Sequence, residues 1–455
     1  MIKIRNASTA LAVLTAVFTT VASASPLDNL EGVWRSVGYG NIIEIKRDVS
    51  QMYHVTDISC SKGQSFSAET ASNIINRVDR SEAGKMSYYR DDAYTRYEYT
   101  QLPALPTKCL DGLNDDPQYN FEVFWHAYDD HFAFFELRGV DWEAAYKIHR
   151  PKVTAETTQK ELFDIFSAML APLKDGHVNL YNSEQEFNAG ELGTLSHLVK
   201  LPEGNKHIPH VYTEDAISII KDYIGDYYLK DSEKRAIGKG MFTWGWAAKG
   251  VGYISIDEME GFVPETATGI ERRDTVDEVM DRILTDLENA DGIIVDVRWN
   301  GGGFDENGLT IAGHLTDQSL LAFVKKAKLG SGYTSMQQAF IPTHARKKYT
   351  GPVVLLQARD TFSAAETFSL AMQTLPNVTS IGENTGGSLS DVLGSYLPNG
   401  WGITISNEVY LDINGNSYER MGVPADITIP KAKGDTLETY LARGMDTAIE
   451  FLKKQ

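Results

Sequence analysis

Apolar and polar positions change their period along the chain, and each change marks a change of element. Over residues 31–102 the apolar residues come in short runs cut by turns. Gly32-Val33-Trp34 opens, the turn cluster Gly38-Tyr39-Gly40-Asn41 follows, and then come Ile42, Ile43 and Ile45, and Tyr53, Val55 and Ile58. Tyr97 and Tyr99, two apart, mark a later strand. This pattern predicts an antiparallel meander. From Phe121 the spacing turns helical, with Phe121, Phe124, Trp125 and Tyr128 on one face. Further helices are predicted over 142–149 and 157–173, the second opened by Thr157-Thr158-Gln159-Lys160-Glu161. From Val251 strands and helices alternate: strands at 251–256, 292–297 and 353–357, helices at 275–290 and 364–375. Apolar strands alternating with helices imply an α/β core whose strands are buried on both faces.

Length and composition agree with that organisation. At roughly 100–200 residues per domain, 455 residues suggest two to four domains. A chain that is 42% hydrophobic and 23% charged has an ordinary globular composition, which excludes a disordered, collagenous or coiled-coil protein. The 62 acidic against 43 basic residues give a net charge of −19, and no basic patch offsets it. This balance argues against nucleic acid and anionic membrane surfaces as partners.

The first 24 residues read as a leader rather than as part of the fold. Lys3 and Arg5 precede an uncharged, mostly apolar run, and Ala22-Ser23-Ala24 offers a cleavage site. The run is too short to span a bilayer, so a secretory signal peptide and an exported protein, periplasmic or secreted, are expected. Export makes the two cysteines, Cys60 and Cys109, a candidate disulfide. A loop of that length contributes on the order of 3–4 kcal/mol in the chain-entropy picture.

Three segments carry candidate chemistry. In Asp296-Val297-Arg298-Trp299-Asn300-Gly301-Gly302-Gly303 an apolar strand runs into three glycines, which permit positive φ and leave amides unobstructed. It is neither a phosphate loop nor a dinucleotide fingerprint. In Arg359-Asp360-Thr361-Phe362-Ser363-Ala364-Ala365-Glu366 a strand gives way to a helix. Ser363 and Glu366 fit a capping box there, and the same geometry puts a hydroxyl in the positive potential of a helix start. In Leu173-Lys174-Asp175-Gly176-His177 a histidine follows a glycine turn. His207 and His210 are spaced like a ligand pair without a third ligand, and no H-E-x-x-H or C-x-x-C occurs, so neither metal nor cofactor is expected.

Taken together, these segments resemble the serine peptidases of the tail-specific, or C-terminal processing, family. The resemblance rests on Gly252-Tyr253-Ile254, Asp296-x-Arg298-x-Asn300-x-Gly302-Gly303 and Thr361-x-Ser363-Ala364-Ala365-Glu366. It continues through Gly382-Glu383-Asn384-Thr385-Gly386-Gly387 and Gly422-Val423-Pro424-Ala425-Asp426, covering about residues 120–430. It implies Ser363 as nucleophile. One branch of the family uses a Ser–Lys dyad and carries a PDZ domain. Here position 388 is Ser, no Lys lies between Ser363 and Lys431, and 191–249 shows no PDZ signature. The chain is more similar to the branch of the tricorn core and the interphotoreceptor retinoid-binding protein modules. That branch has an Asp-x-His turn, here Asp175-Gly176-His177, and a Glu before the closing motif, here Glu419. It departs from the pattern in Arg420, where Asn is usual, and in Pro424-Ala425-Asp426.

The implied fold is an α/β catalytic core of crotonase/ClpP-like ββα units, preceded by a helical bundle and a β-rich N-terminal domain. The implied divisions are a signal peptide at 1–24, a β-rich domain at 25–117, a helical domain carrying the base at 118–235, and the catalytic domain at 236–455. The implied chemistry is peptide hydrolysis by a Ser363, His177, Glu419 triad. The amide of Ala364 and one of the glycine loop, Gly302 by alignment or else Gly301, would form the oxyanion hole. Peptides or proteins are the expected substrates. The alternative is a non-catalytic protein that holds an apolar ligand in the same cleft. The β-rich domain is read either as a substrate-docking module or as a structural cap.

Overall fold

The computed structural model describes residues 30–68, 70–71, 76–89, 94–200, 214–229, 234–238, 240–264, 267–343 and 346–455. The expected leader at 1–24 and the pair His207 and His210 lie outside these residues. The N-terminal strands are β1 (Gly32–Ser36), β2 (Asn41–Ile45), β3 (Val49–Val55), β4 (Cys60–Ser67), β5 (Asn76–Asp79), β6 (Lys85–Tyr89) and β7 (Tyr97–Leu102). They form one antiparallel sheet ordered β4-β3-β2-β1-β7-β6-β5, the meander closing when β7 returns beside β1. Alternation along β1 and β2 sends Trp34 and Ile43 to one buried cluster and Val33 and Ile42 to the other. The second cluster contains Cys60 and Cys109, which are joined as a disulfide.

The helix Pro117–His131 starts where the sequence provides a cap. Asp116 accepts from Tyr119 N, and Pro117 needs no amide partner in the first turn. Helix Gln159–Leu170 starts at a capping box between Thr158 and Glu161. The apolar faces of these helices meet in an aromatic core, in which the Phe124 and Phe166 rings stack with centroids 3.9 Å apart. Past them come the short strands β8 (Asn179–Tyr181) and β9 (Glu186–Asn188).

The central sheet is built from β10 (Arg235–Ile237), β11 (Phe242–Ala248), β12 (Val251–Ile256) and β13 (Gly292–Asp296), followed after other elements by β17 (Val353–Gln357), β18 (Val378–Gly382) and β22 (Ile427–Thr428). Its order is β10-β11-β12-β13-β17-β18-β22, parallel from β12 onward. Strands β13 and β17 are buried on both faces. Ile293, Val295, Val353 and Leu355 pack under helices Gly269–Asp286 and Ala364–Gln373, and Ile294, Val354 and Leu356 under helix Leu437–Leu452. Helix Gly269–Asp286 lies earlier than the expected 275–290, because Thr268 and Glu271 make a capping box at its start.

Two small sheets flank this core. One joins β14 (Leu321–Leu329), β15 (Gly332–Tyr333), β16 (Gln337–Phe340) and β21 (Glu408–Leu411), and the other is ordered β19-β20-β8-β9 with β19 (Val392–Tyr396) and β20 (Gly402–Ser406). Among the described residues no helix is long and apolar enough to cross a membrane.

Candidate active site

Two loops at the carboxyl ends of adjacent parallel strands meet, which is where open α/β sheets place their reactive groups. The loop after β13 is held rigid by its own polar residues. Asp296 accepts from Arg298 Nε (2.9 Å), Arg298 Nη2 (2.6 Å) and Tyr253 Oη (3.0 Å). Trp299 Nε1 donates to Asp257, and Asn300 Nδ2 to the Ile256 carbonyl. All of these groups are buried, so each pairing satisfies a group that would otherwise cost free energy to desolvate. The loop after β17 is stitched to it, with Thr361 Oγ1 donating to Val297 O (2.8 Å) and Phe362 N to Asn300 O (3.0 Å).

Ser363 follows immediately, in a backbone conformation that L-residues rarely adopt: φ 55° and ψ −125°. Such a position persists only where its surroundings hold it. The holding group is the fully buried Glu366. Its Oε2 accepts from Ser363 N (3.2 Å) and Ser388 N (2.8 Å), and its Oε1 from Gly387 N (2.7 Å) and Thr385 Oγ1 (2.6 Å). Burial raises this carboxyl to about 7, against the lowering effect of these four donors. The S-x-x-E spacing thus serves as a helix start and as a clamp on the serine loop together.

Gly302 (φ 105°) packs directly against the serine. A Cβ there would lie 2.6 Å from Ser363 Cβ and 3.0 Å from Ala364 N, so a side chain at 302 would collide with the turn. The expectation that Gly302 supplies an oxyanion amide meets a difference: its N–H donates to Asn300 Oδ1 at 2.8 Å. Neither Gly303 N nor Ala364 N donates to an acceptor among the described residues.

His177 lies in the turn before β8. Its amide donates to Asp175 Oδ1 (3.0 Å), and its carbonyl accepts from Thr404 Oγ1 (2.6 Å). Phe362, the residue before the serine, packs on the imidazole with ring centroids 4.7 Å apart. No hydrogen bond joins His177 to Ser363, and Nδ1 is buried without a partner. Burial is the largest effect on the imidazole and lowers its pKa.

Glu419 does not reach His177 directly. Its Oε1 accepts from Arg138 Nη2 (2.7 Å), whose other carboxylate is Asp175 Oδ2 (3.1 Å). Its Oε2 accepts from Leu389 N (2.9 Å) and Ser390 N (3.2 Å). Burial pushes the Glu419 carboxyl up, Asp175 adds to the push, and Arg138 opposes it. Every partner is a donor, and that arrangement holds a carboxylate. Arg420, where the resemblance predicted Asn, takes φ 68° and donates from Nη1 to Leu137 O.

Several residues of the cleft carried no sequence signal. Ser363 opens on a cavity of about 270 Å³ lined also by Tyr97, Asp305, Lys325, Ser390 and Asp391. Asp305 accepts from Tyr94 Oη (2.6 Å), Tyr410 Oη (2.9 Å) and Thr367 Oγ1 (2.7 Å). The N-terminal sheet therefore forms one wall of the cleft. Lys325 is buried and paired with Glu408 at 2.6 Å. Burial lowers its pKa, Glu408 raises it, and the net direction is up, so it remains an ammonium and cannot accept the serine proton at neutral pH. Only its place in the fold brings Lys325 to the site, since it precedes Ser363 in the chain. Among the described residues no three His, Cys, Asp or Glu side chains form a metal-binding group.

Known proteins match this chain in family and in fold. Residues 250–429 match peptidase family S41, and residues 113–171 match the tricorn protease C1 domain. Among solved structures, a putative peptidase from Parabacteroides merdae ATCC 43184 is 26% identical with a TM-score of 0.58, over 75% of this chain and 96% of that one. A CPAF mutant shares the fold at 12% identity and a TM-score of 0.51, over 75% of this chain and 98% of that one. The nisin-resistance protein of Lactococcus lactis subsp. lactis is 27% identical over 158 residues. That match covers 33% of this chain and half the length of the relative.

Proposed function

The chain belongs to the S41 family of tail-specific serine peptidases, and from that premise we propose that it cleaves peptide bonds with Ser363 as nucleophile and His177 as base. The observation that carries this reading is Ser363 itself. It is held at φ 55° on a helix start, with the unengaged amide of Ala364 beside it and the glycine loop pressed against it. A serine hydroxyl is a weak nucleophile at neutral pH and needs a base to take its proton and later deliver it to the leaving amine. His177 is neutral at pH 7 and suits both steps. Its contact with Phe362 keeps it at the serine segment, and the missing hydrogen bond is one that such sites often close only with substrate present.

The developing oxyanion is served by the Ala364 amide and the Gly302-Gly303 segment, in which the Gly303 amide is free as it stands and Gly302 holds the close approach. Glu419 acts at one remove, supporting the His177 turn through Arg138 and Asp175. The parallel succession β12, β13, β17 and β18 with its covering helices supports a crotonase/ClpP-like core at 236–455, behind a helical unit at 118–235 and a β-rich unit at 25–117. The protein is exported, as the Cys60–Cys109 bond and the sequence of residues 1–24 support, and its substrates are peptides or proteins. Labelling of the mature protein by a fluorophosphonate, lost in Ser363→Ala, tests the assignment. Equal labelling of the variant would refute it.

A further inference from the structure

The segment between β18 and β19 borders two cavities. Leu389, Ser390 and Asp391 line the one that holds Ser363, whereas Gly386, Gly387 and Ser388 line another, of about 140 Å³. The two share no lining residue. The walls of the second are basic. Arg138, Lys174, Arg359 and Arg420 stand against a single acid, Glu191, in a chain whose net charge is −19. These cations are scattered over the sequence, so only the fold gathers them.

Part of that charge is already committed. Lys174 pairs with Glu191 at 3.0 Å, and Arg138 pairs with Asp175 and Glu419. Arg359 and Arg420 have no carboxylate partner among the described residues, and Arg420 uses only Nη1, on Leu137 O. Two buried groups of the cavity wall are also unpaired. Arg138 Nε has no partner. Ser388 is 3% exposed and gives its amide to Glu366, while its hydroxyl has no hydrogen-bond partner among the described residues. Buried donors are ordinarily satisfied, so two unpaired ones in the wall of a basic cavity call for an acceptor from outside the chain.

We propose that this cavity binds a small oxyanion of the phosphate class from solution, held by Arg359, Arg420, Ser388 Oγ and Arg138 Nε, and that its occupancy raises turnover at Ser363. Guanidinium groups match the oxygens of phosphate with paired, charge-assisted hydrogen bonds. The cavity has about half the volume of the one at Ser363 and no wall in common with it, which favours a free ion over part of a bound peptide. The link to Ser363 is short. Gly387 N and Ser388 N are two of the four donors to Glu366, which accepts from Ser363 N as well. Arg420 N in turn donates to Gly387 O at 2.7 Å. An anion seated on this wall binds the ordered loop and not a loosened one, so it shifts the population toward the ordered loop. Arg138 keeps Nη2 on Asp175 and Glu419, because Nε is the atom it offers.

The effect on turnover rests on the peptidase reading, whereas binding does not, and the test separates them. Arg420→Asn is the sharpest variant, because asparagine tolerates the φ of 68° found there and the chain should still fold. Inorganic phosphate is titrated calorimetrically into the mature protein against chloride at equal ionic strength. Saturable binding of one phosphate per chain is expected, about tenfold or more weaker in Arg420→Asn and in Arg359→Gln, and unchanged in Ser363→Ala. Saturating phosphate should raise kcat for a carboxyl-amidated peptide about fivefold in the wild type. It should not do so in Arg420→Asn, whose rate without phosphate should equal that of the wild type. No saturable binding, or equal binding by all variants, would overturn the site. Binding with kcat unchanged would overturn its coupling to Ser363. A rise in KM alone for a peptide with a free carboxyl terminus, absent for its amide, would show that the cavity holds the substrate's own carboxylate and overturn the free ion. Phosphate binding without any peptide cleavage would overturn the peptidase reading and leave the site standing.

Discussion

Arg138 and Glu419, 281 positions apart, meet at 2.7 Å, and the same guanidinium nitrogen lies 3.1 Å from Asp175. One cation from the helical segment thus joins the carboxylate of the closing motif to the turn that bears His177. All three side chains are at most 3% exposed. A buried cluster of this kind is costly to break from one side, because the remaining charges lose their compensation.

Arg138→Met should therefore be the most damaging single change in the cluster. It leaves Asp175 and Glu419 buried without their cation, at a cost of about 3–5 kcal/mol. Glu419→Leu should cost less, and Arg138→Met combined with Glu419→Leu should cost less than the sum of the two single changes. Thermal unfolding of the four proteins measures this. Strict additivity would show that Arg138 and Glu419 do not act through each other.

The strain at Ser363 predicts an unusual ranking. Glycine accepts φ 55° without penalty, whereas alanine keeps the Cβ that conflicts with it. Ser363→Gly should be as stable as the wild type or more so, by about 1–3 kcal/mol, and Ser363→Ala should be less stable than Ser363→Gly. Both should be inactive. A glycine variant that melts below the alanine variant would contradict strain at this position.

Glu366→Gln should loosen the serine loop. Four donors converge on the carboxylate, and an amide would turn an NH₂ toward two of them. The expected cost is about 1–3 kcal/mol for each donor left without an acceptor. kcat for peptide cleavage should fall with it, and an unchanged melting temperature would argue against the clamp.

The pH dependence follows from His177. Its pKa is lowered, so the neutral base persists to more acidic pH than for an exposed histidine, and protonation below that point removes it. The acid limb of kcat/KM should have its midpoint below pH 6.5. The same group makes folding less favourable as pH falls below the unfolded value, since the unfolded chain then binds a proton that the folded state resists. A midpoint above pH 6.5 would mean that another group is the base.

What the sequence revealed about this site depended on how local each signal was. Gly302, Ser363 with Glu366, and Asp175-Gly176-His177 are short patterns whose backbone demands show in residue type. Arg138, Lys325, Asp305 and Tyr94 carry no such pattern, and only sheet pairing and helix packing bring them to the cleft. Tyr94 reaches Asp305 from the segment just before β7 of the N-terminal sheet. The strands at 251–256 and 353–357 were legible because burial on both faces makes them continuously apolar. The helix Gly269–Asp286 starts before the expected 275, because its charged first turn hides the Thr268 cap.

The central claim, that Ser363 and His177 act as one unit, is tested most directly by kcat/KM for peptide cleavage by wild type, Ser363→Ala, His177→Ala and the double variant, with Lys325→Met beside them. Each single catalytic change should lower the rate by about 10⁴-fold or more, and the double variant should be little worse than either. Near-full activity in His177→Ala together with loss in Lys325→Met would contradict the account and make lysine the base.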